Sequence, residues 1–286
     1  MNFDYKSIPC AKKIDDLLVY YKTSVAFAQA LGVTRMTLTA WRDNVQKIKV
    51  KNQDKIDLLW CKYVFLPNID GENKAVKGID LGDFLLEPLV MDKALRGMAA
   101  GSLEIETGTQ EIDFDSIVLE NIVPNNFYAK SVLEVQNIHH ITQEIAQDFQ
   151  VDIDSQKIKD WHKVLMRGLV DNAGEFSTKQ RVLPNVDTQL THPDDIEEEL
   201  ENWMEEHSNI ENLSDVAKSH YHFEMIHPFS DGNGRIGRLI ILAQCLKISI
   251  KPPTINNNNK ALYYILLEHA KVNPSALAYF FRACSK

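Results

Sequence analysis

Cysteine is scarce in this chain, and Cys10, Cys61, Cys245 and Cys284 are scattered without a CxxC pair. That argues against a disulfide framework and a zinc-thiolate site, and it fits a reducing compartment. Also missing are an N-terminal apolar segment with a cleavage site and any apolar run near the roughly 20 residues of a membrane span. A cytoplasmic protein with no membrane partner is expected. There is no internal repeat. Strand signals are confined to Glu175–Asn185, where Phe176, Val182 and Leu183 flank polar residues and predict a short hairpin.

What is present is ordinary for a soluble globular protein: 286 residues, 44% hydrophobic and 25% charged. That length suffices for a full core and two domains. The net charge of −9 is unevenly spread. Residues 1–63 hold 11 Lys/Arg against 6 Asp/Glu, whereas the remainder holds 20 against 34. A basic head on an acidic body implies modules with different partners. Helical periodicity runs over 129–149, 158–169, 194–206, 213–226, 235–247, 260–270 and 274–283, with mixed helical character over 84–105. The fold class expected is all-α with one small β element.

Ser24–Asp43 reads as two short helices about a turn. Val25, Ala28 and Leu31 line one face, Gly32 supplies a positive φ, Thr34 caps the second helix, and Leu38 and Trp41 return to the core. The spacing of Ala28, Gly32, Leu38 and Trp41 resembles the helix-turn-helix family. That resemblance implies DNA contacts from the exposed face of the second helix, through Arg35, Thr39 and Arg42. A small helical bundle for protein docking fits the same pattern.

The richest stretch is His227-Pro-Phe-Ser-Asp-Gly-Asn-Gly-Arg-Ile-Gly-Arg238. Its Gly232-Asn233-Gly234 turn exposes backbone N–H groups as an anion nest at the start of a helix. Arg235 and Arg238, three apart, can both reach phosphate oxygens. Asp231 is a hard oxygen ligand suited to Mg²⁺, and His227 exchanges a proton near neutral pH. No zinc site is expected: His220 and His222 lie on the preceding helix and are read as having no carboxylate partner at metal-ligand spacing, and His139 and His140 read as helix-surface residues.

HPFSDGNGRIGR resembles the Fic family pattern H-P-F-x-[DE]-G-N-G-R-x-x-R at every specified position. The preceding SHYHFEMI is similar to the helix that leads into that family's motif, and Gly174–Asn185 sits where the family has a β-hairpin flap. The resemblance spans roughly residues 129–283 and implies a Fic-type helical core over 129–286. It follows a head over 1–66 and a linker over 67–128. The family usually moves AMP from ATP to a hydroxyl of a target protein. By position, His227 would be the general base and Asp231 the Mg²⁺ ligand. The amides of Gly232, Asn233 and Gly234 would cradle phosphate, with the Asn233 side chain near the α-phosphate. Arg235 and Arg238 would orient the β- and γ-phosphates, and Phe229 would anchor the loop. Tyr263, in a Tyr-Tyr found in many members, would stack on or hydrogen-bond to adenine; packing of Tyr264 with Leu267 is the structural alternative. The flap would align the target's backbone as an added strand.

Ser102-Leu-Glu-Ile-Glu106-Thr is similar to the family's inhibitory pattern [ST]-x-x-x-E-[GN], except that it ends in Thr107. The resemblance implies that Glu106 pairs with Arg238 in place of the γ-phosphate, while Glu104 does not fit the register. Together these expectations describe an autoinhibited AMP transferase that uses Mg-ATP on Ser, Thr or Tyr hydroxyls of a protein, itself included. A DNA-binding regulator whose body only senses nucleotide is the competing class, and transfer of UMP, phosphate or phosphocholine stays open. A DNA-binding head suggests a homodimer by symmetry.

Overall fold

The computed structural model describes residues 8–44, 46–68, 75–81, 88–108, 113–124, 127–150, 152–182 and 189–285. Among these the fold is helical, and the only strand-like pairing is an isolated antiparallel bridge between Asp80 and Ile250. No helix of the described residues is long and apolar enough to cross a membrane.

The head comprises α1 (Cys10–Tyr21), α2 (Ser24–Leu31), α3 (Arg35–Arg42) and α4 (Val50–Trp60), the last extended by a π turn over Cys61–Phe65. Capping explains the short helices. Thr23 Oγ accepts from Ala26 N–H and Thr34 Oγ from Thr37 N–H, while Gly32 ends α2 with φ at 70°. Ala28, Leu38 and Trp41 are buried as their spacing requires. Val25 is not, at 52% exposed; Phe27 takes the inward place, because apolar residues run almost all round this short helix and leave its phase open. Lys13, also buried, pairs with Asp57 at 2.6 Å, and Trp60 Nε1 donates to Asp16 at 2.9 Å. These two contacts tie α1 to α4.

The body follows as α5 (Pro88–Thr107), α6 (Phe114–Val118), α7 (Ala129–Gln147), α8 (Ser155–Leu165), α9 (Ile196–Glu206), α10 (Leu213–Ile226), α11 (Asn233–Lys247), α12 (Lys260–His269) and α13 (Pro274–Cys284). Helix α11 starts two residues before the expected Arg235 and is buried along almost its whole length, so it reads as apolar on every side and sits between two cores. One core gathers Leu165, Leu200, Phe223, Ile236 and Leu242 from α8–α11, together with Ile138 of α7 and Leu95 and Leu103 of α5. The other runs from Ile14, Phe27 and Trp60 of the head to Leu277 and Phe281 of α13, so the head shares its core with the C-terminal helices.

Helix α5 lies close against the backbone before α12. A Cβ on Gly101 would stand 2.5 Å from the Ile255 carbonyl oxygen, whereas one on Gly97 of the same helix would meet nothing within 4 Å. Glycine costs a helix interior roughly 1 kcal/mol relative to alanine. Gly97→Ala should therefore raise stability by up to about 1 kcal/mol. Gly101→Ala should lower it by about 1–3 kcal/mol through forced displacement of α5. Thermal or urea unfolding of the two variants checks this, and equal shifts of the same sign would contradict it.

Candidate functional site

The motif begins where α10 ends. His227 closes that helix in the left-handed conformation (φ 51°), with its N–H on the Phe223 carbonyl. A non-glycine residue holds such a φ only when its surroundings fix it. Arg181 supplies the fixing: its Nε donates to the His227 carbonyl at 2.7 Å and its Nη2 to Ile226 O at 2.8 Å and Thr191 O at 3.1 Å. The carbonyls at the end of α10 are thereby satisfied by a side chain from the segment expected to form the flap. Ser177 N–H adds a bond to Pro228 O at 2.8 Å. Described residues 174–182 of that segment form no strand, and 183–185 lie outside the described residues.

Nδ1 of His227 faces the Glu224 carbonyl oxygen at 3.3 Å. An N–H on Nδ1 donates there, which leaves Nε2 as the basic nitrogen. Burial pushes the imidazole down to about 4, only partly opposed by that bond, so the ring is neutral near pH 7.

The loop itself is closed by side chains that look functional in the sequence. Asn233 Oδ1 accepts from Phe229 N–H at 2.8 Å while its Nδ2 donates to Phe229 O at 2.7 Å. Its side chain therefore shapes the loop, with both ends of the amide bonded to the Phe229 backbone. Phe229 is fully buried, as an anchor should be, and stacks on His162 with centroids 3.7 Å apart. His162 Nδ1 accepts from Gly174 N–H at 2.8 Å, so its Nε2–H donates to the Asp231 carbonyl at 3.0 Å. Nothing in local spacing points to His162, which is 69 residues from its partner.

Gly232 caps α11 with φ at 83°, and a Cβ there would stand 3.0 Å from Met166 Sδ. The first-turn N–H groups of Asn233, Gly234 and Arg235 lack carbonyl partners within the helix, as every helix start does. The Gly232 amide is taken instead by Asp231 Oδ1 at 2.6 Å. Asp231 is 56% exposed and also accepts from Arg235 Nη2 at 3.2 Å, both bonds falling on Oδ1. Arg235 is buried between Asp231 and Glu134, so it braces the loop from within and does not share an open face with Arg238.

Arg238 is buried too, and α5 claims its guanidinium. Its Nε donates to Ser102 Oγ at 2.8 Å, and its Nη2 to Ser102 O at 3.2 Å and to Glu106 Oε1 at 2.7 Å. The Glu106 side chain is one-third exposed and sits over the helix start, where a Cβ on Gly234 would come 3.0 Å from its Oε1. Burial pushes the Glu106 carboxyl up, but Arg238 more than offsets it and holds the group below the usual carboxylate range. Glu104 points elsewhere, accepting from Asn257 N–H at 3.3 Å.

Beneath Arg238 lie further buried polar groups. Glu224 is pushed up to about 7 by burial, against the pull of Arg238. Gly237 makes room for it: a Cβ there would lie 2.5 Å from Glu224 Oε1. Tyr263 is 1% exposed with its hydroxyl 2.6 Å from His220 Nε2, so it is part of this floor and not an adenine platform. Helical phase turns Tyr263 toward α10 and α13 and leaves Tyr264 45% exposed, which reverses the sequence expectation.

His162, His207, His220 and His227 are all pushed well below the ordinary imidazole value, chiefly by burial. Between about pH 6.5 and 4 these four rings bind more protons in the unfolded chain than in the native one, outnumbering the opposite contribution of Glu224, so stability rises with pH across that window. Melting temperature should fall from pH 7 to pH 5. A flat profile there would contradict the buried neutral state of these rings.

The Fic/DOC family model matches residues 152–245, which hold α8 to most of α11. The chain is 33% identical over 73 residues to protein adenylyltransferase Fic of Drosophila virilis, covering 25% of this chain and 15% of that protein. It is 31% identical over 83 residues to the Nematostella vectensis protein of the same name, covering 27% and 19%. The match thus spans less than one-fifth of these relatives' length. Residues 134–508 of Fic-1 from Caenorhabditis elegans have a similar fold, with a TM-score of 0.61, 15% identity and 96% of each chain covered. A Fic domain containing signaling protein from Bacteroides thetaiotaomicron gives a TM-score of 0.59 at 18% identity over 68% of this chain and 84% of that one. Residues 152–245, which carry the motif, are thus similar to the Fic/DOC domain, and the helical fold is shared with solved Fic structures.

Proposed function

We propose that this protein transfers AMP from Mg-ATP to a Ser, Thr or Tyr hydroxyl of a protein, itself included, and that Glu106 restrains the transfer. The observation that carries this reading is the juxtaposition at one helix start of a neutral His227, an exposed Asp231 and a buried Arg238 already paired with Glu106. Names of relatives favour it: the similar Drosophila virilis and Nematostella vectensis proteins are protein adenylyltransferases.

In the proposed step, His227 Nε2 takes the proton of the target hydroxyl as its oxygen bonds to the α-phosphorus. The bond from the α-phosphorus to the bridging oxygen breaks, and pyrophosphate leaves. The first-turn amides of α11 hold phosphate oxygens, supported by the positive end of the helix. Asp231 fits Mg²⁺, since its side chain is half exposed and its protein bonds fall on Oδ1, leaving Oδ2 for a hard cation. Bound there, Mg²⁺ would neutralise phosphate charge. Arg238 would reach the γ-phosphate only after Glu106 releases it, and in the paired state Glu106 covers Gly234 where phosphate would lie. For the head, Arg35, Thr39 and Arg42 are exposed on α3, in keeping with a DNA-contacting face and a homodimer.

Two experiments test these readings. With ATP labelled at either the α or the γ position, label should pass to protein from the α position alone. His227→Ala should lower the rate about 10²–10⁴-fold, and Glu106→Gly should raise it about 10–100-fold, the scale of one charge-assisted contact. Transfer from the γ position would mean phosphorylation, and no transfer by Glu106→Gly would leave a nucleotide sensor. Separately, the full chain should bind random duplex DNA with an affinity that falls as salt rises. Arg35→Ala and Arg42→Ala should weaken it, and binding indifferent to both would remove the DNA reading of the head.

A further inference from the structure

A second cluster of ligating side chains lies where α9 meets α10, away from the motif loop. The chain leaves α9 at Glu206 and passes to His207, whose ring packs against Trp203 with centroids 6.0 Å apart. His207 Nε2 lies 3.2 Å from Nδ1 of His222 on α10, and Glu206 Oε2 lies 3.4 Å from the same Nδ1. The three ligand atoms fall within 4.8 Å of one another. The two helices are already fastened close by, where Trp203 Nε1 donates to Ser219 O at 2.9 Å.

A single proton cannot join all three groups to one another. Each neutral imidazole carries a single N–H and the carboxylate carries none. If His222 holds its proton on Nδ1, that proton serves His207 or Glu206 but not both. If His207 donates to His222, Glu206 faces a nitrogen that has no proton. Three lone pairs converging on one point suit a cation. The geometry agrees: metal–ligand bonds of 2.0–2.1 Å in a tetrahedron place the ligand atoms about 3.3–3.4 Å apart. The two short edges here are 3.2 and 3.4 Å. The far nitrogen of His222, Nε2, faces Glu199 Oε2 at 3.9 Å. That is beyond a direct hydrogen bond, but the carboxylate charge still favours the proton on the far nitrogen, which leaves the near one free to bind metal.

We propose that Glu206, His207 and His222 form a site for a zinc-class divalent cation, with water in the fourth position, that cross-links the end of α9 to α10. Spacing along one helix cannot reveal it, because the partners of His222 come from the neighbouring element. Imidazole and carboxylate donors select zinc-class ions over Mg²⁺, which distinguishes this site from Asp231. The ion stiffens α10 five residues before His227, while leaving the motif loop itself untouched.

The test uses the full-length, tag-free protein, stripped with a chelator, dialysed against micromolar Zn²⁺ and read by elemental mass spectrometry. Wild type and His227→Ala should each retain about one zinc per chain. His207→Ala and His222→Ala should each bind at least about 100-fold more weakly, and Glu199→Gln about 10-fold more weakly. Zinc should raise the melting temperature of wild type but not of either ligand variant, and the metal-free proteins should melt alike. Co²⁺ should give the intense visible bands of a four-coordinate site in wild type and His227→Ala but in neither His207→Ala nor His222→Ala. Wild type that retains no zinc, or a His222→Ala variant that retains as much as wild type, would overturn the proposal.

Discussion

The buried guanidinium of Arg238 is the constraint around which this site is arranged. A buried cation must be paired and hydrogen-bonded, or its desolvation cost is unrecovered. Ser102 and Glu106 meet that need from α5, which the close approach at Gly101 seats against the backbone before α12. The Ile105 carbonyl accepts from Lys260 Nζ, so the end of α5 is gripped from α12 as well. The position of α5, the partner of Arg238 and the cover over the start of α11 are therefore one structural fact.

The motif loop obeys the same logic at smaller scale. His227, His162 and Asn233 all spend hydrogen bonds on backbone groups of the loop or on those next to it, and Arg181 secures the carbonyls at its entry. A loop held this way keeps its open N–H groups aimed at one place without a ligand to organise it. On the proposed reading, the chemistry needs only a neutral His227 and an exposed Asp231, and the remaining motif residues build the frame. Arg235, buried against Glu134 and Asp231, belongs to that frame.

Much of this was legible in the residues. Periodicity placed 274–283 within one residue of α13, and the resemblance at Ser102–Glu106 anticipated the contact of Glu106 with Arg238, though not that of Ser102. Capping residues and Gly32 marked the head helices because these signals are local. What was not legible depends on helical phase or on distant partners. Two adjacent tyrosines carry no information about which faces inward, and packing chose Tyr263. The bonds from Asn233 to the Phe229 backbone appear only once the loop is folded, because the sequence marks that asparagine by resemblance as a phosphate neighbour alone. His162, Arg181 and the Glu206–His207–His222 cluster gain meaning only from residues on other elements.

The central claim is that Glu106 and the γ-phosphate compete for Arg238. Calorimetric titration of Mg-ATP and Mg-ADP into wild type and Glu106→Gly isolates that competition, because the two nucleotides differ only in the γ-phosphate. The account predicts similar affinities for both nucleotides in wild type. In the variant it predicts a preference for ATP of about 10-fold or more, the value of one charge-assisted contact. An ATP-to-ADP ratio that does not change when Glu106 is removed would contradict it.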